Sequence, residues 1–310
     1  MRPFKIALLG ECMVELQQHG EYLKQAFGGD TLNTAMYLSR LTKGLGQTSY
    51  VTALGNDPFS HGMVREWNEN GVDTSLIMHI DEKQPGLYYI ETDDTGERKF
   101  HYWRNDSAAK YIFDQAERSV ELINNLMEFD AIYISGITIA ILTDTGRNVL
   151  FSLLDKFRAK GGLVCFDNNY RPKLWETQEQ ALNTYRTILS LTDIAMLTFD
   201  DEQDLYGDTD VDQCIERTQA AGVKEIVIKR GAEDCLIVVG DEQVSVPATK
   251  VENVVDTTAA GDSFSGGYLA KRLTDGSAEE SAKLAHKMAG TVIQYKGAVI
   301  PVEAMTGLTL

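Results

Sequence analysis

A run of small residues near the C-terminus, DTTAAGD at residues 256–262, ends in a carboxylate and leads into a helical pattern. Small side chains let the backbone approach a phosphate group closely, and the first N–H groups of a helix offer positive dipole and free donors to an anion. A carboxylate beside such a cradle can accept the proton of a hydroxyl group that attacks a phosphoryl group. We therefore expect Asp262 to act as a base and the N–H groups around Ala260 and Gly261 to neutralise charge. A plain helix cap is the alternative, because Asp and Ser also cap helices.

A diglycine opens a second candidate element, GGDTLNTA at residues 28–35. Glycines free backbone N–H groups at a helix entrance, while the side chains of Asp30 and Asn33 can hydrogen-bond the hydroxyl groups of a polyol. A diglycine turn by itself is weak evidence of function. Together with the run at 256–262, it indicates a site for a polyhydroxyl compound and a phosphate donor.

The elements that must position these residues alternate between short β-rich runs and longer amphipathic segments. This alternation predicts an α/β fold, with a mainly parallel central sheet flanked by helices on both faces. The predicted strands are KIALLG, SYVTALG, AIYISG, LVCFDNN, IAMLTF, EIVIKRG and CLIVVG. The predicted helices lie near residues 31–41, 59–70, 145–160 and 176–191.

Two segments interrupt this alternation, at residues 11–31 and 74–110. The first is short, polar and glycine-bearing. The second is typical of hairpins, with the strands SLIMHID, GLYYIET and RKFHYWRND and a DDTGE turn at 93–97. Strands without intervening helices, beside an α/β core, predict a small β-sheet lid; an ordinary surface hairpin is the alternative.

The composition fits a single domain over residues 1–310, because a chain of 310 residues with 43% hydrophobic residues can bury a large core. A formal net charge of −17 argues against a nucleic-acid partner, which needs a basic face. No run of about 18 uncharged apolar residues occurs, and charges come too early for a signal peptide. We expect a soluble, cytoplasmic protein with no membrane partner. The four cysteines form no CxxC pair, so we expect buried thiols.

The sequence lacks the motifs of two other classes of nucleotide-binding enzyme. A dehydrogenase would carry GxGxxG after the first strand, where the chain has Gly10-Glu11-Cys12-Met13 instead. A P-loop kinase would carry GxxxxGK[ST], which is absent from the sequence. A nonenzymatic sugar-binding protein remains a further alternative, although it would have no need of a carboxylate beside the anion cradle.

The two motifs together resemble those of the ribokinase-like (PfkB) sugar kinases. DTTAAGD is similar to that family's DTxGAGD signature, with Ala259 in place of a glycine, and GGDTLN is similar to its GGxxxN element. The segments GNDPF at 55–59 and KRG at 229–231 also fit, so the resemblance covers residues 5–301. It implies a ribokinase-like fold, ATP and Mg²⁺ as cofactors, Asp262 as catalytic base and residues Ala259 to Gly261 as the anion hole. The ATP-binding residues that it implies are Asn169, Arg171, Lys229, Gly231, Thr258 and Gly261.

The substrate should be set by the lid and the cleft rim, where Arg104 and Arg171 stand beside tyrosines. Two guanidinium groups suit a carboxylate, which a neutral sugar lacks, so we expect an acidic sugar. The pattern is similar to the branch of the family that phosphorylates the 6-hydroxyl of 2-keto-3-deoxygluconate; fructokinase, ribokinase and tagatose-phosphate kinase types are the alternatives. The substrate-binding residues implied are Gly29, Asp30, Asn33, Tyr88, Tyr102, Arg104, Arg171 and Asp262.

The resemblance also implies three properties that leave little trace in the sequence. Relatives bind K⁺ through a loop that corresponds to Asp256 and Thr258 and through carbonyls near Gly297. Many also organise Mg²⁺ with an NxxE motif, which is replaced here by TFDDE at 198–202, so the metal-organising acid is open. Lid sheets of the family often pair across a two-fold axis, which implies a homo-oligomer.

Overall fold

The computed structural model describes residues 3–92 and 98–310 of the chain. The expected DDTGE turn at 93–97 lies outside these described residues. The strands are β1 (Phe4–Leu9), β2 (Met13–His19), β3 (Tyr22–Gly28), β4 (Gly46–Val51), β5 (Ala53–Leu54), β6 (Met78–His79), β7 (Leu87–Thr92), β8 (Arg98–Trp103), β9 (Ala131–Ser135), β10 (Leu163–Asp167), β11 (Ile194–Thr198), β12 (Glu225–Lys229), β13 (Cys235–Val239) and β14 (Glu242–Val246).

Several of the helices begin at local capping signals. Asp57 accepts hydrogen bonds from the N–H groups of Phe59 and Ser60 at the start of the second helix, and Ser277 and Glu280 form a reciprocal capping box at the start of the last. The helices are α1 (Asp30–Leu41), α2 (Pro58–Glu69), α3 (Ala116–Leu126), α4 (Gly136–Ile141), α5 (Asp144–Ala159), α6 (Gln178–Ser190), α7 (Phe199–Tyr206), α8 (Val211–Ala220), α9 (Ala260–Arg272) and α10 (Ala278–Val292).

The main sheet of the described residues has the order β14-β13-β12-β11-β10-β9-β1-β4 and is parallel except at β13 and β14. Both of its faces are buried: in β1, Ile6 and Leu8 pack on one face while Ala7 and Leu9 pack on the other. Helices α1, α2, α9 and α10 cover the first face, and α3 to α8 cover the second. The predicted α/β class with a mainly parallel sheet is confirmed.

A second sheet, which we call the lid sheet, has the order β3-β2-β7-β8. It is built from residues 13–28 and, in the later stretch, residues 87–92 and 98–103. The predicted strand SLIMHID does not join it, because its residues Met78 and His79 pair with β5 in a separate small sheet. The strand β14 was not predicted: four of its five residues are exposed, so it lacks the apolar run typical of a buried strand.

The four cysteines are buried and unpaired, as expected. Burial is the main cause that raises the pKa of each thiol, which keeps the thiols protonated. Within the two described ranges, no helix combines the length and apolar character needed to cross a membrane.

Candidate active site

A cavity of about 520 Å³ lies between the lid sheet and the carboxyl ends of the main strands. Asp167 ends β10, Thr198 ends β11 and Lys229 ends β12, and all three line it. The lid sheet contributes Met13 and Tyr88 on the opposite side. Ligands of open α/β sheets bind at this edge of the sheet, so the cavity is the candidate active site.

Most of the residues singled out in the sequence line this one cavity. They are Gly29, Asp30, Asn33, Tyr88, Tyr102, Asn169, Arg171, Lys229, Gly231, Thr258, Ala259, Ala260, Gly261 and Asp262. Three others do not line it: Arg104, Asp256 and Gly297.

Asp262 stands in the first turn of α9, at the floor of the cavity. Asn33 Nδ2, from α1, donates a hydrogen bond of 2.8 Å to Asp262 Oδ2. Burial, together with the negative charges of Asp30 and Asp167, raises the pKa of Asp262 to about 8, while Asn33 and Lys229 act in the opposite direction. A carboxyl group with a raised pKa is suited to accept a proton near neutral pH.

The start of α9 lies at the cavity, and its backbone differs in one detail from the predicted cradle. Ala259 adopts the left-handed conformation, with φ 59°, and turns the chain into the helix. The N–H of Ala260 donates to Thr257 O at 3.2 Å. Helix geometry leaves the N–H groups of Gly261 and Asp262 without an intrahelical acceptor. These two donors, rather than the N–H of Ala260, are therefore available to an anion in the cavity.

Asp256 shapes the loop that leads to this helix. One carboxylate oxygen accepts from Thr258 N at 3.0 Å and from Thr258 Oγ1 at 2.6 Å. The other accepts from Gly297 N at 3.1 Å. The fold thus brings together the three residues that the family resemblance implied for a K⁺ site. Through these bonds the Asp256 carboxylate joins the loop at Thr258 to the segment at Gly297.

Lys229 is a nearly buried cation at the end of the cavity where α9 begins, which we call the phosphate-cradle end. Its Nζ lies 2.6 Å from Asp167 Oδ2, and its side chain is 9% exposed. A Cβ atom built on Gly261 would lie 3.7 Å from the same Nζ. The ammonium group therefore stands beside the first turn of α9, where an anion would be held.

The diglycine element and the strand end at β10 meet across the cavity. Asn169 Nδ2 donates to Asp30 Oδ2 at 2.7 Å. A Cβ on Gly29 would come within 2.2 Å of the backbone oxygen of Glu11, so only glycine fits there without a shift of the backbone. This close approach explains the requirement for Gly29 better than a special φ does, because its φ of −176° is extended.

One face of the lid sheet lines the cavity, and the other face points away from it. Tyr88 and Tyr102 line the cavity with ring centroids 5.8 Å apart, and Tyr88 OH donates to Glu15 Oε2 at 2.5 Å. Tyr89, whose side chain points the other way along the strand, lines a separate depression with Trp103. Only one of the two neighbouring tyrosines can therefore reach a ligand in the cavity.

The two arginines assigned to a substrate carboxylate have different surroundings. Arg171 lines the cavity with a half-exposed side chain, and its NH1 lies 3.4 Å from Asp201 Oδ1. Arg104 forms an ion pair with Glu11, and both side chains are nearly buried. Its charge is therefore already neutralised by Glu11, and of the two guanidinium groups only that of Arg171 lines the cavity.

The acidic run 200–202 has one member at the cavity. Asp201 lines it, whereas Asp200 is exposed and Glu202 is buried. Burial raises the pKa of Asp201, and the nearby Arg171 opposes this. Glu202 is bonded to Asn168 at 2.8 Å and to Arg217 at 2.6 Å. Asp201 is thus the acid of this run that can reach a metal or phosphate in the cavity.

A second acidic cluster, Glu202, Asp208 and Cys214, brings three ligand-type atoms within 4.8 Å of one another. Arg217 already pairs with both carboxylates, at 2.6 Å and 2.5 Å. A guanidinium group therefore supplies the positive charge that the cluster needs, and we interpret it as structural.

The far end of the cavity is less polar. Phe264, His286 and Ala289 line it beside Gly231, which adopts a positive φ of 59°. The rings of Phe264 and His286 meet edge to face with centroids 5.1 Å apart, and burial lowers the pKa of His286, which favours the neutral imidazole. A flat, neutral ring system fits this end, and an anion fits the opposite end at α9.

Sequence reasoning missed Asp167 as a member of the site. A carboxylate that directly follows the apolar run LVCF was the available signal, because such an end of a parallel strand faces the ligand crevice. Ser265 was also missed; its hydroxyl bonds to Asp167 at 2.9 Å from the second turn of α9, and nothing in its local sequence indicates this contact.

Comparison with known proteins agrees with this geometry. The family model described as "pfkB family carbohydrate kinase" matches residues 4–305. The chain is 54% identical over 305 residues to the 2-dehydro-3-deoxygluconokinase of Escherichia coli K12, covering 97% of this chain and 98% of that protein.

Two solved structures share the fold. The 2-dehydro-3-deoxygluconokinase of Thermotoga maritima has a TM-score of 0.84 and 21% identity and covers 99% of this chain and 98% of its own. A fructokinase from Xylella fastidiosa with bound ATP has a TM-score of 0.84 and 22% identity, with coverages of 98% and 97%. The family match over nearly the whole chain, with the carboxylate and helix start arranged as described, means that this protein belongs to the pfkB family of carbohydrate kinases.

Proposed function

We propose that the protein transfers the γ-phosphoryl group of ATP to the 6-hydroxyl of 2-keto-3-deoxygluconate (2-dehydro-3-deoxygluconate), giving the 6-phosphate. The observation that carries the proposal is the position of Asp262, which stands at the floor of the cavity beside the free N–H groups of α9. The identity of 54% to an enzyme named for this substrate supports the choice of sugar.

In this proposal Asp262 accepts the proton of the sugar hydroxyl as that oxygen attacks the phosphoryl group. Asn33, 2.8 Å from Asp262, holds the carboxylate in place and donates to its charged form. The N–H groups of Gly261 and Asp262 stabilise the charge that develops on the phosphoryl oxygens. Each role uses a group that already faces the cavity, so the mechanism needs no large rearrangement of these residues.

ATP would lie across the cavity with its phosphates at α9 and Lys229 and its base near Phe264 and His286. A related fructokinase has been solved with bound ATP. We propose Mg²⁺ as the companion cation, because the carboxylates of the cavity are hard oxygen donors and Asp201 stands where it can reach a phosphate-bound ion, directly or through water. The ion would neutralise phosphate charge during the transfer.

For the sugar acid we propose Arg171 as the carboxylate ligand and Tyr88 and Tyr102 as the wall of the sugar pocket. Because the phenol proton of Tyr88 is donated to Glu15, its oxygen is left to accept a bond from a sugar hydroxyl. Arg104, which is held by Glu11, would support this wall from behind; it would bind the carboxylate itself only if it left Glu11.

The test is ATP consumption with 2-keto-3-deoxygluconate, fructose and ribose as acceptors. The proposal predicts a clear preference for the sugar acid and a product phosphorylated at the 6-hydroxyl. A preference for fructose or ribose would leave the kinase in place and overturn the substrate, and no phosphorylation of any sugar would overturn the enzyme.

We also propose that the lid sheet is an interface between copies of the chain. Its edge strands are β3 and β8, and Tyr22, Leu23 and Trp103 on these strands are exposed. Unpaired edges with apolar side chains favour association. Sedimentation of the wild type and of a Tyr22→Asp/Leu23→Asp variant should show an oligomer in the first and a smaller species in the second; equal masses would contradict the interface.

Two further proposals concern the cellular compartment of the protein and its use of K⁺. The four buried thiols fit a reducing compartment such as the cytoplasm. We also propose a K⁺ site at the loop of Asp256 and Thr258 and the segment near Gly297, because a hydrogen bond from Gly297 N to Asp256 brings these two segments together. Unchanged activity when K⁺ is replaced by a large organic cation would remove the K⁺ site.

A further inference from the structure

Asp167 is the centre of a buried hydrogen-bond network under the phosphate-cradle end of the cavity. A single oxygen, Oδ2, accepts from Lys229 Nζ at 2.6 Å, from Ser265 Oγ at 2.9 Å and from Tyr133 OH at 3.2 Å. These donors come from β12, α9 and β9, while Asp167 itself ends β10. The carboxylate thus ties three strands to the helix that carries Asp262.

This network fixes an otherwise flexible cation. A lysine side chain has four rotatable bonds and loses much rotamer freedom when it is held in one place. Here the ammonium group is confined by a charge-assisted bond in a nearly buried setting, beside Gly261. A preorganised charge costs no reorganisation at the moment of reaction, which is when electrostatic stabilisation is most effective.

We propose that Asp167 is a positioning residue: it holds the ammonium group of Lys229 at the start of α9, where the transferred phosphoryl group must pass. The inference rests on the proposed phosphoryl transfer. It assigns to Asp167 a role that acts through Lys229 and needs no contact between Asp167 and either substrate.

The network also decides which carboxylate Lys229 pairs with. Without Asp167, the ammonium group would be free to turn toward Asp262, where it would stabilise the carboxylate and weaken it as a base. Asp167 therefore keeps the cation directed at phosphate and keeps the base strong. The titratable and charged groups that face Asp262 are Asp30 from α1, Tyr37 from α1, Tyr133 from β9, Asp167 from β10 and Lys229 from β12.

The first test is Asp167→Asn, assayed with ATP and 2-keto-3-deoxygluconate across pH. Misplacing a catalytic group by about 1 Å can cost about 100-fold, so we expect kcat to fall by about that factor while the KM for the sugar changes little. Removing the negative charge of Asp167 and releasing Lys229 both favour ionised Asp262. The acid limb of the kcat/KM profile should therefore move to lower pH.

The variant Lys229→Met should shift the acid limb in the opposite direction. It also lowers kcat, but it removes a positive charge that favours ionised Asp262, so the acid limb should move to higher pH. The control is Asp193→Asn, another buried carboxylate paired with a cation, Arg158, at the other end of the sheet. This control should lower the melting temperature and leave the pH profile in place.

Asp167→Asn leaves a buried ammonium group unpaired and can fail to fold, so the double variant Asp167→Asn/Lys229→Met keeps the test decisive. If Asp167 acts only through Lys229, the double variant has the kcat of Lys229→Met alone. A further large loss in the double variant, or an Asp167→Asn enzyme with normal kcat or an unmoved acid limb, would overturn the inference. Wild-type enzyme that phosphorylates no sugar would overturn the proposed function instead.

Discussion

Asn33 Nδ2 lies 2.8 Å from Asp262 Oδ2, so a bond between amide and carboxylate joins α1, which follows the diglycine, to the first turn of α9. The two motifs that the sequence singled out thus meet at one pair of side chains. Because the amide donates to the charged form of Asp262, it favours ionisation of that carboxyl group.

The first prediction concerns pH. Asn33→Ala removes the donor, so the pKa of Asp262 should rise further above its usual value. A base must be ionised to act, and the acid limb of kcat/KM should therefore move to higher pH, with a larger loss of activity at pH 7 than at pH 9. The control is Asn68→Ala on the exposed side of α2, whose amide donates to Val64 O in its own helix and accepts from Thr74 Oγ1, and none of these residues lines the cavity. An acid limb that stays in place in Asn33→Ala would contradict the role of this bond.

The second prediction concerns Arg171. Arg171→Ala should raise the KM for the sugar acid roughly tenfold or more, since a hydrogen bond to a charged group contributes about 1.5–3 kcal/mol. Its side chain is 51% exposed, so the free energy of unfolding should change by less than about 0.5 kcal/mol. Arg186→Ala, an exposed arginine on α6, is the matched control for kinetics. A normal KM in Arg171→Ala would show that another group binds the carboxylate.

The third prediction separates Arg104 from Arg171. Arg104→Met leaves Glu11 buried without its cationic partner, and breaking a buried ion pair costs about 3–5 kcal/mol. We therefore expect a large loss in the free energy of unfolding, measured by denaturant titration. The variant Glu11→Gln/Arg104→Met should recover much of this loss because no unpaired charge remains. Equal stability of Arg104→Met and wild type would contradict the structural pairing.

The fourth prediction concerns the backbone at Ala259. Its φ of 59° costs an L-residue about 1–2 kcal/mol, which glycine avoids. Glycine loses more chain entropy on folding, about 0.5–1 kcal/mol, so Ala259→Gly should leave stability unchanged or raise it slightly. Ala270→Gly, in the interior of α9, should lower it by about 1 kcal/mol or more. Similar losses in the two variants, by thermal unfolding, would contradict the strain at Ala259.

The parts of the site that could be predicted from sequence are local. The cradle at 256–262 depends on small residues and a helix start, so its chemistry can be inferred from neighbouring residues alone. The same holds for β10 and β12, where continuous apolar runs predict strands buried on both faces.

The parts that could not be predicted depend on partners that are distant in the chain. Arg104 looked like a free cation because nothing near it in sequence reveals Glu11, which reaches it through the fold. Gly86 makes room for this contact, since a Cβ there would lie 2.9 Å from Glu11 Oε1. The contacts of Asp167 could not be predicted for the same reason, because its three donors come from separate elements.

The measurement that most directly tests the account is single-turnover phosphorylation of 2-keto-3-deoxygluconate by wild type and Asp262→Asn, with folding of both checked by thermal unfolding. Asparagine keeps the shape of the side chain and its contact with Asn33 but cannot accept the proton. We expect the rate of transfer to fall by about 10²–10⁴-fold, with sugar binding nearly unchanged. Transfer by Asp262→Asn at close to the wild-type rate would contradict the assignment of Asp262 as the base.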